Sequence, residues 1–178
     1  MPKYTQNPVL EAISDRRSIR GYKPDAIDEE RLNALLQAAL QAPSARNSQP
    51  WFFSVVRNQT ILDEINSAVS EAGNQDFGDI FYAAPCVIFI SCDPTSRWGR
   101  LDCGIAVENI ALAAHAMGLG SVILGMPEMA FVGPKGPSFN ERLKFPEGHA
   151  FAIAIAVGIP TTTKEAHPVL PDRITYIQ

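Results

Sequence analysis

The segment Asp102–Gly118 restricts the folds open to this chain more than any other. Ile105, Ala106, Ile110, Leu112, Ala113, Ala116 and Met117 make it apolar almost all the way round at helical spacing. Such a helix has little surface to offer water, so it must be covered on most sides, in a domain centre or between subunits. Gly118 and Gly120 end it, as glycine readily closes helices. Two further segments need the same cover. Ala84–Cys92 and His149–Val157 are apolar at both odd and even positions, which predicts strands buried on both faces.

The other segments read as shorter elements around these three. Pro8 to Asp15 predicts a helix, with Val9, Leu10 and Ile13 on one stripe. Asp28 is a fitting N-cap for a second helix running to about Gln41, where Pro43 stops it. Trp51–Val56 predicts a strand, and Ser121–Leu124 a short β-branched run. Thr60-Ile61-Leu62-Asp63 reads as a capping box opening a helix to about Ala72. Gly78–Tyr82 predicts a helical turn. Asp93–Leu101 and Phe131–Pro137 read as loops, with Ser138-Phe139-Asn140-Glu141 as a second capping box. Ile174–Ile177 is a β-prone end. With 178 residues, no internal repeat and no linker, one domain over residues 1–178 is expected.

Charge and cysteine usage exclude several functions. The net charge is -4 and the pI about 5.3, which argues against a nucleic-acid binder. No apolar run approaches the roughly 20 residues that span a bilayer. Met1-Pro2-Lys3-Tyr4 opens without an apolar signal region, so a cytoplasmic protein is expected. Cys86, Cys92 and Cys103 are odd in number and form no CxxC pair, against a disulfide framework. His115, His149 and His167 lack zinc-ligand spacing, and no metal is expected.

Against that acidic background, Arg16-Arg17-Ser18-Ile19-Arg20 places three of the ten arginines within five residues. Neighbouring cations repel unless something offsets them. A dianionic ligand would do so, because guanidinium groups fork onto phosphate oxygens and serine adds a donor. A solvated basic turn is the plainer reading. Pro43-Ser44-Ala45-Arg46-Asn47-Ser48-Gln49-Pro50-Trp51 is a polar loop between apolar elements. It could present hydroxyl, amide and backbone N–H groups to a flat heteroaromatic ligand, or simply connect two elements at the surface. Trp98 between Arg97 and Arg100 could line a substrate mouth or pack on a partner subunit. Cys103 reads as a buried structural thiol, since adjacent Asp102 opposes thiolate formation. His115, alone within the apolar helix, reads as a packed residue.

In their order along the chain, four segments carry a resemblance. They are Arg16–Arg20, Pro43–Trp51, the run Glu108–Ala114 continuing to Gly118-Leu119-Gly120, and Ala156-Val157-Gly158-Ile159-Pro160. On these the chain resembles the nitroreductase family of flavin enzymes over roughly residues 9 to 160. The resemblance implies an α+β, three-layer fold, a central mixed β-sheet flanked by helices, in an intertwined homodimer with FMN at the interface. It implies that Arg16, Arg17, Ser18 and Arg20 hold the phosphate and nearby flavin oxygens. Ser44, Ala45, Arg46 and Asn47 would approach the flavin from the other subunit, and Leu124 and Gly125 would lie near the ring edge. Lys164 and His167 stand nearest to the family's basic pair after the last core strand. Phe77-Gly78-Asp79-Ile80-Phe81 departs from the larger oxygen-insensitive members, which carry basic side chains there.

The function implied is FMN-dependent transfer of hydride from NADH or NADPH to a small organic acceptor, such as a nitroaromatic or quinone, in ping-pong order. No catalytic side chain is needed, because the flavin carries the chemistry. The alternatives are another activity of the same fold, such as dehalogenation or flavin modification, and a flavin carrier or sensor without turnover.

Overall fold

The computed structural model describes residues 7–166, 168 and 170–178. The helix α1 spans Pro8–Asp15. Asn7 caps it by accepting the N–H groups of Val9 and Leu10 at 3.0 and 3.4 Å. Pro8 takes the first turn, where a missing N–H costs nothing. α2 spans Glu29–Leu40, and Asp28 caps it through the Arg31 N–H at 2.8 Å. β1 (Phe52–Val56), α3 (Gln59–Gly73) and β2 (Cys86–Cys92) follow. α4 is the apolar helix, Gly99–Ala116, and β3 is Gly120–Leu124. Two short helices, α5 (Glu128–Val132) and α6 (Gly136–Arg142), precede β4 (Ala150–Gly158).

The four strands form one sheet in the order β1-β2-β4-β3, with every strand pair antiparallel. Parallel pairing is confined, among the described residues, to an isolated bridge between Ser18 and Ser121. The all-apolar strands β2 and β4 lie in the middle, covered on both faces as their two-parity pattern demands. Successive side chains point to opposite faces. Ile88, Ile90, Ile155 and Val157 therefore join Leu32, Leu35, Ala106 and Ile110 beneath α2 and α4. Val87, Phe89, Ala154 and Ala156 join Leu62, Ile65, Val69 and Phe139 beneath α3, α5 and α6. The result is three layers. Full burial of a side chain such as Ile110 contributes about 1.5–3 kcal/mol.

α1 stands apart from this economy. It buries none of its residues, and Val9 and Ile13 are 62% and 53% exposed.

Several boundaries differ from the sequence expectations. The cap of α3 is Asn58, whose Oδ1 accepts the Ile61 N–H at 3.4 Å, so Thr60 lies inside the helix. Phe131–Pro137 is not one loop: α5 ends and α6 begins within it, and Lys135 rather than Ser138 precedes α6. α4 begins three residues early, at Gly99. Ile174–Ile177 forms no strand and is exposed.

Candidate functional site

The arginine segment leaves α1 and is laced across two strand ends. Ile19 N–H donates to Ser121 O at 2.9 Å beside the Ser18–Ser121 bridge. Lys23 N–H donates to Ile159 O at 2.8 Å, and Thr161 N–H to Gly21 O at 3.0 Å. The Tyr22 hydroxyl donates to Ile19 O at 2.7 Å, and burial pushes its phenol well above the ordinary value. Gly120 makes the approach possible. A Cβ there would lie 2.9 Å from Ile19 Cγ2 and 3.0 Å from Pro160 Cβ. The segment is thus fixed against the start of β3 and the chain leaving β4.

This lacing gathers bases that are distant in sequence. A cavity of about 470 Å³ is lined by Asp15, Arg16, Arg17, His115, Ser121 and Lys164, among others. Arg16 Nε lies 3.2 Å from Glu108 Oε1 on α4, yet it is buried and makes no hydrogen bond. Arg17 Nη1 donates to Ser14 O at 2.6 Å and Arg16 O at 2.8 Å, closing the end of α1. Three cations, one acid and a serine around one cavity supply the charge and donors that an anion would use. Arg16, Arg17 and Lys164, all three expected at a flavin phosphate, come together on this cavity. The sequence reading set His115 aside as a packed residue. The available signal was its seven-residue spacing from Glu108, which puts both on one face of α4.

The other expected site residues lie elsewhere. Ser18 adjoins the cavity through its bridge to Ser121. The Arg20 guanidinium sits over the Tyr82 ring, 5.7 Å from its centroid. Leu124 and Gly125 are at the far end of β3, about 13 Å along the strand from Gly120. A Cβ on Gly125 would meet nothing within 4 Å, so that position faces open space. His167 lies outside the described residues.

Ser44, Ala45, Arg46 and Asn47 lie near the other end of α4. Ala45–Asn47 form a 3-10 turn whose Ala45 N–H donates to Asp102 Oδ1 at 3.1 Å. Arg46 and Asn47 adopt left-handed conformations, with φ of 56° and 55°. That costs an L-residue about 1–2 kcal/mol. The Asp102 contact and the Ser44 hydroxyl, which accepts Gln49 N–H at 3.0 Å, hold the turn in place. Asp102 is 3% exposed, and its Oδ2 has no partner. From Asp102 to His115, α4 rises about 20 Å. The two halves of the expected site therefore lie at opposite ends of one helix.

The remaining candidates resolve simply. All three cysteines are buried and free. Cys103 is held far above the usual thiol range, first by its hydrogen bond with Cys92 and then by burial, so it is no thiolate nucleophile. Trp98 is 46% exposed beneath the Arg97 guanidinium, 4.8 Å from its centroid. Among the described residues, no group of His, Cys, Asp or Glu could hold a metal, and no helix is long and apolar enough to cross a membrane.

Comparison with known proteins bears on this geometry. A model described as the Nitroreductase family matches residues 13–159. A nitroreductase with bound FMN from Desulfitobacterium hafniense superposes with a TM-score of 0.90 at 34% identity, over 97% of this chain and 100% of that one. A nitroreductase with bound FMN from Bacteroides fragilis gives 0.89 at 29% identity, again over 97% and 100%. A Methanothermobacter thermautotrophicus protein, named as a candidate NADH dehydrogenase/NAD(P)H nitroreductase, is 40% identical over 70% of this chain. The match spans 64% of that relative's length.

Proposed function

This chain belongs to the nitroreductase family, and from that premise we propose that it is an FMN-dependent NAD(P)H oxidoreductase acting on a small organic acceptor. The observation that carries the proposal is the convergence of Arg16, Arg17 and Lys164 on one cavity at the start of β3. The residues present fit FMN. Arg16 Nε is a buried donor without a hydrogen bond, the surrounding donors suit a phosphate dianion, and Gly125 leaves the far end of β3 open.

In this reading Arg16 and Lys164 bind the phosphate, and Arg17 adds charge while closing α1. Bound FMN would supply the redox chemistry, taking hydride from NADH or NADPH and passing it to an acceptor such as a nitroaromatic or quinone in ping-pong order. Leu124 and Gly125 offer backbone N–H groups at the ring edge. Arg20, steadied over Tyr82, offers a positive charge that favours a reduced, anionic ring. The chain itself needs no nucleophile or general base.

A homodimer completes the site. The Ser44–Asn47 turn of one copy would approach the flavin held by the arginines of the other. Two observations support this. The turn and the cavity lie about 20 Å apart along α4 within one chain. Among the described residues, the apolar stripe of α1 stays about half exposed, as expected of a helix that packs on a second copy. A cytoplasmic location belongs to the same reading, supported by three free cysteines.

The test is spectroscopic. Purified protein reconstituted with FMN should be yellow, bleach anaerobically with NADH or NADPH, and recover colour when a quinone or nitroaromatic is added. A yellow protein that neither nicotinamide bleaches would favour a carrier. A protein that stays colourless would remove the cofactor.

A further inference from the structure

His115 is half-buried in the last turn of α4, on the wall of the cavity that holds Arg16, Arg17 and Lys164. It shares a face of α4 with Glu108, two turns earlier, and Glu108 is the residue against which Arg16 rests. Glu108 is thereby engaged. Among the described residues, the only acid on the cavity wall is Asp15, at the exposed end of α1. Among the described residues, no hydrogen bond or ion pair occupies the His115 ring. A ring with two unused nitrogens, set beside three cations, gains nothing from its neighbours. It gains if an anion lies between them.

We propose that His115 is a ligand of the cofactor's anionic end, a ring N–H donating to an oxygen of the phosphate monoester that Arg16 and Lys164 hold. The proposal rests on the FMN reading above. Its chemistry is that of a charge-assisted hydrogen bond, stronger than a neutral one because the acceptor carries formal charge. The competing role is structural. A base in the last turn of a helix is favoured by the helix's own carbonyls, with no ligand present.

Riboflavin separates the two roles, because it carries the same ring and ribityl chain without the phosphate. Apo-protein is titrated with FMN and with riboflavin, following quenching of flavin fluorescence, for the wild type, His115→Ala and His115→Lys. His115→Ala should bind FMN about tenfold or more weakly while its riboflavin affinity stays unchanged. His115→Lys, which restores a donor, should recover most of the FMN affinity. Unaltered FMN binding by His115→Ala would overturn the proposal. Equal losses for both flavins would overturn it too, since they report a distorted fold. Thermal melting of His115→Gln, which keeps the polar bulk, checks that the wall itself is intact. A wild type that binds neither flavin would instead sink the FMN reading on which this one stands.

Discussion

Arg16 and Glu108 face each other across the junction of α1 and α4, with Nε 3.2 Å from Oε1 and no hydrogen bond between them. Such a partly exposed pair adds little stability by itself. It does aim the guanidinium, leaving the two terminal nitrogens for a ligand. Arg16→Ala should therefore lower FMN affinity by about tenfold or more while moving the melting temperature little. Fluorescence titration and a thermal melt read the two quantities. Undiminished affinity would take Arg16 out of the phosphate site.

Asp102 holds the turn that carries Arg46 and Asn47. Asp102→Ala removes the acceptor of the Ala45 N–H and should let the left-handed residues relax. Hydrogen exchange at the Ala45 amide should then accelerate, and flavin affinity should fall with it. Asp102→Asn keeps an oxygen in place and should preserve most of the protection. An Ala45 amide equally protected in Asp102→Ala would show that something else fixes the turn.

The bare stripe of α1 gives a test of assembly. Ile13→Asp places a charge in the middle of the exposed apolar face. The wild type should sediment as a dimer, and the variant should shift towards monomer with loss of bound flavin. A wild type that sediments as a monomer would contradict the shared site.

Asp28 gives a test in acid. The backbone N–H of Arg31, and then its side chain, hold the Asp28 carboxyl below the usual range. A carboxyl depressed by folding adds stability above its unfolded value of about 4, and that stability is lost as pH falls through the folded value. Asparagine caps helices about as well without titrating. The melting-temperature advantage of the wild type over Asp28→Asn should thus be larger at pH 7 than at pH 3. An advantage unchanged between the two would remove the ionised cap.

What the sequence disclosed follows from which interactions are local. The helix over Pro8–Asp15 and the buried strands depend on near neighbours and on side-chain period, and both were readable. The Thr60 capping box misled because Asn58, two residues earlier, takes the cap with its own amide oxygen. Pro134 and Pro137, with two glycines, suggested a loop over Phe131–Pro137, yet Pro137 falls where a helix tolerates proline. The β-prone Ile174–Ile177 finds no strand to pair with among the described residues. The arginines were conspicuous as a cluster. That His115 joins them depends on how residues 16–23 lie across β3 and the exit of β4, a tertiary fact of which its helical spacing from Glu108 is the one local clue.

The most direct measurement is a crystal structure of the FMN-loaded protein. The phosphate should lie within hydrogen-bond reach of Arg16 and Lys164, with the ring edge towards Gly125 and the Ser44–Asn47 turn of a second copy beside it. A flavin whose phosphate lies away from Arg16, or one enclosed by a single copy, would contradict the site described here.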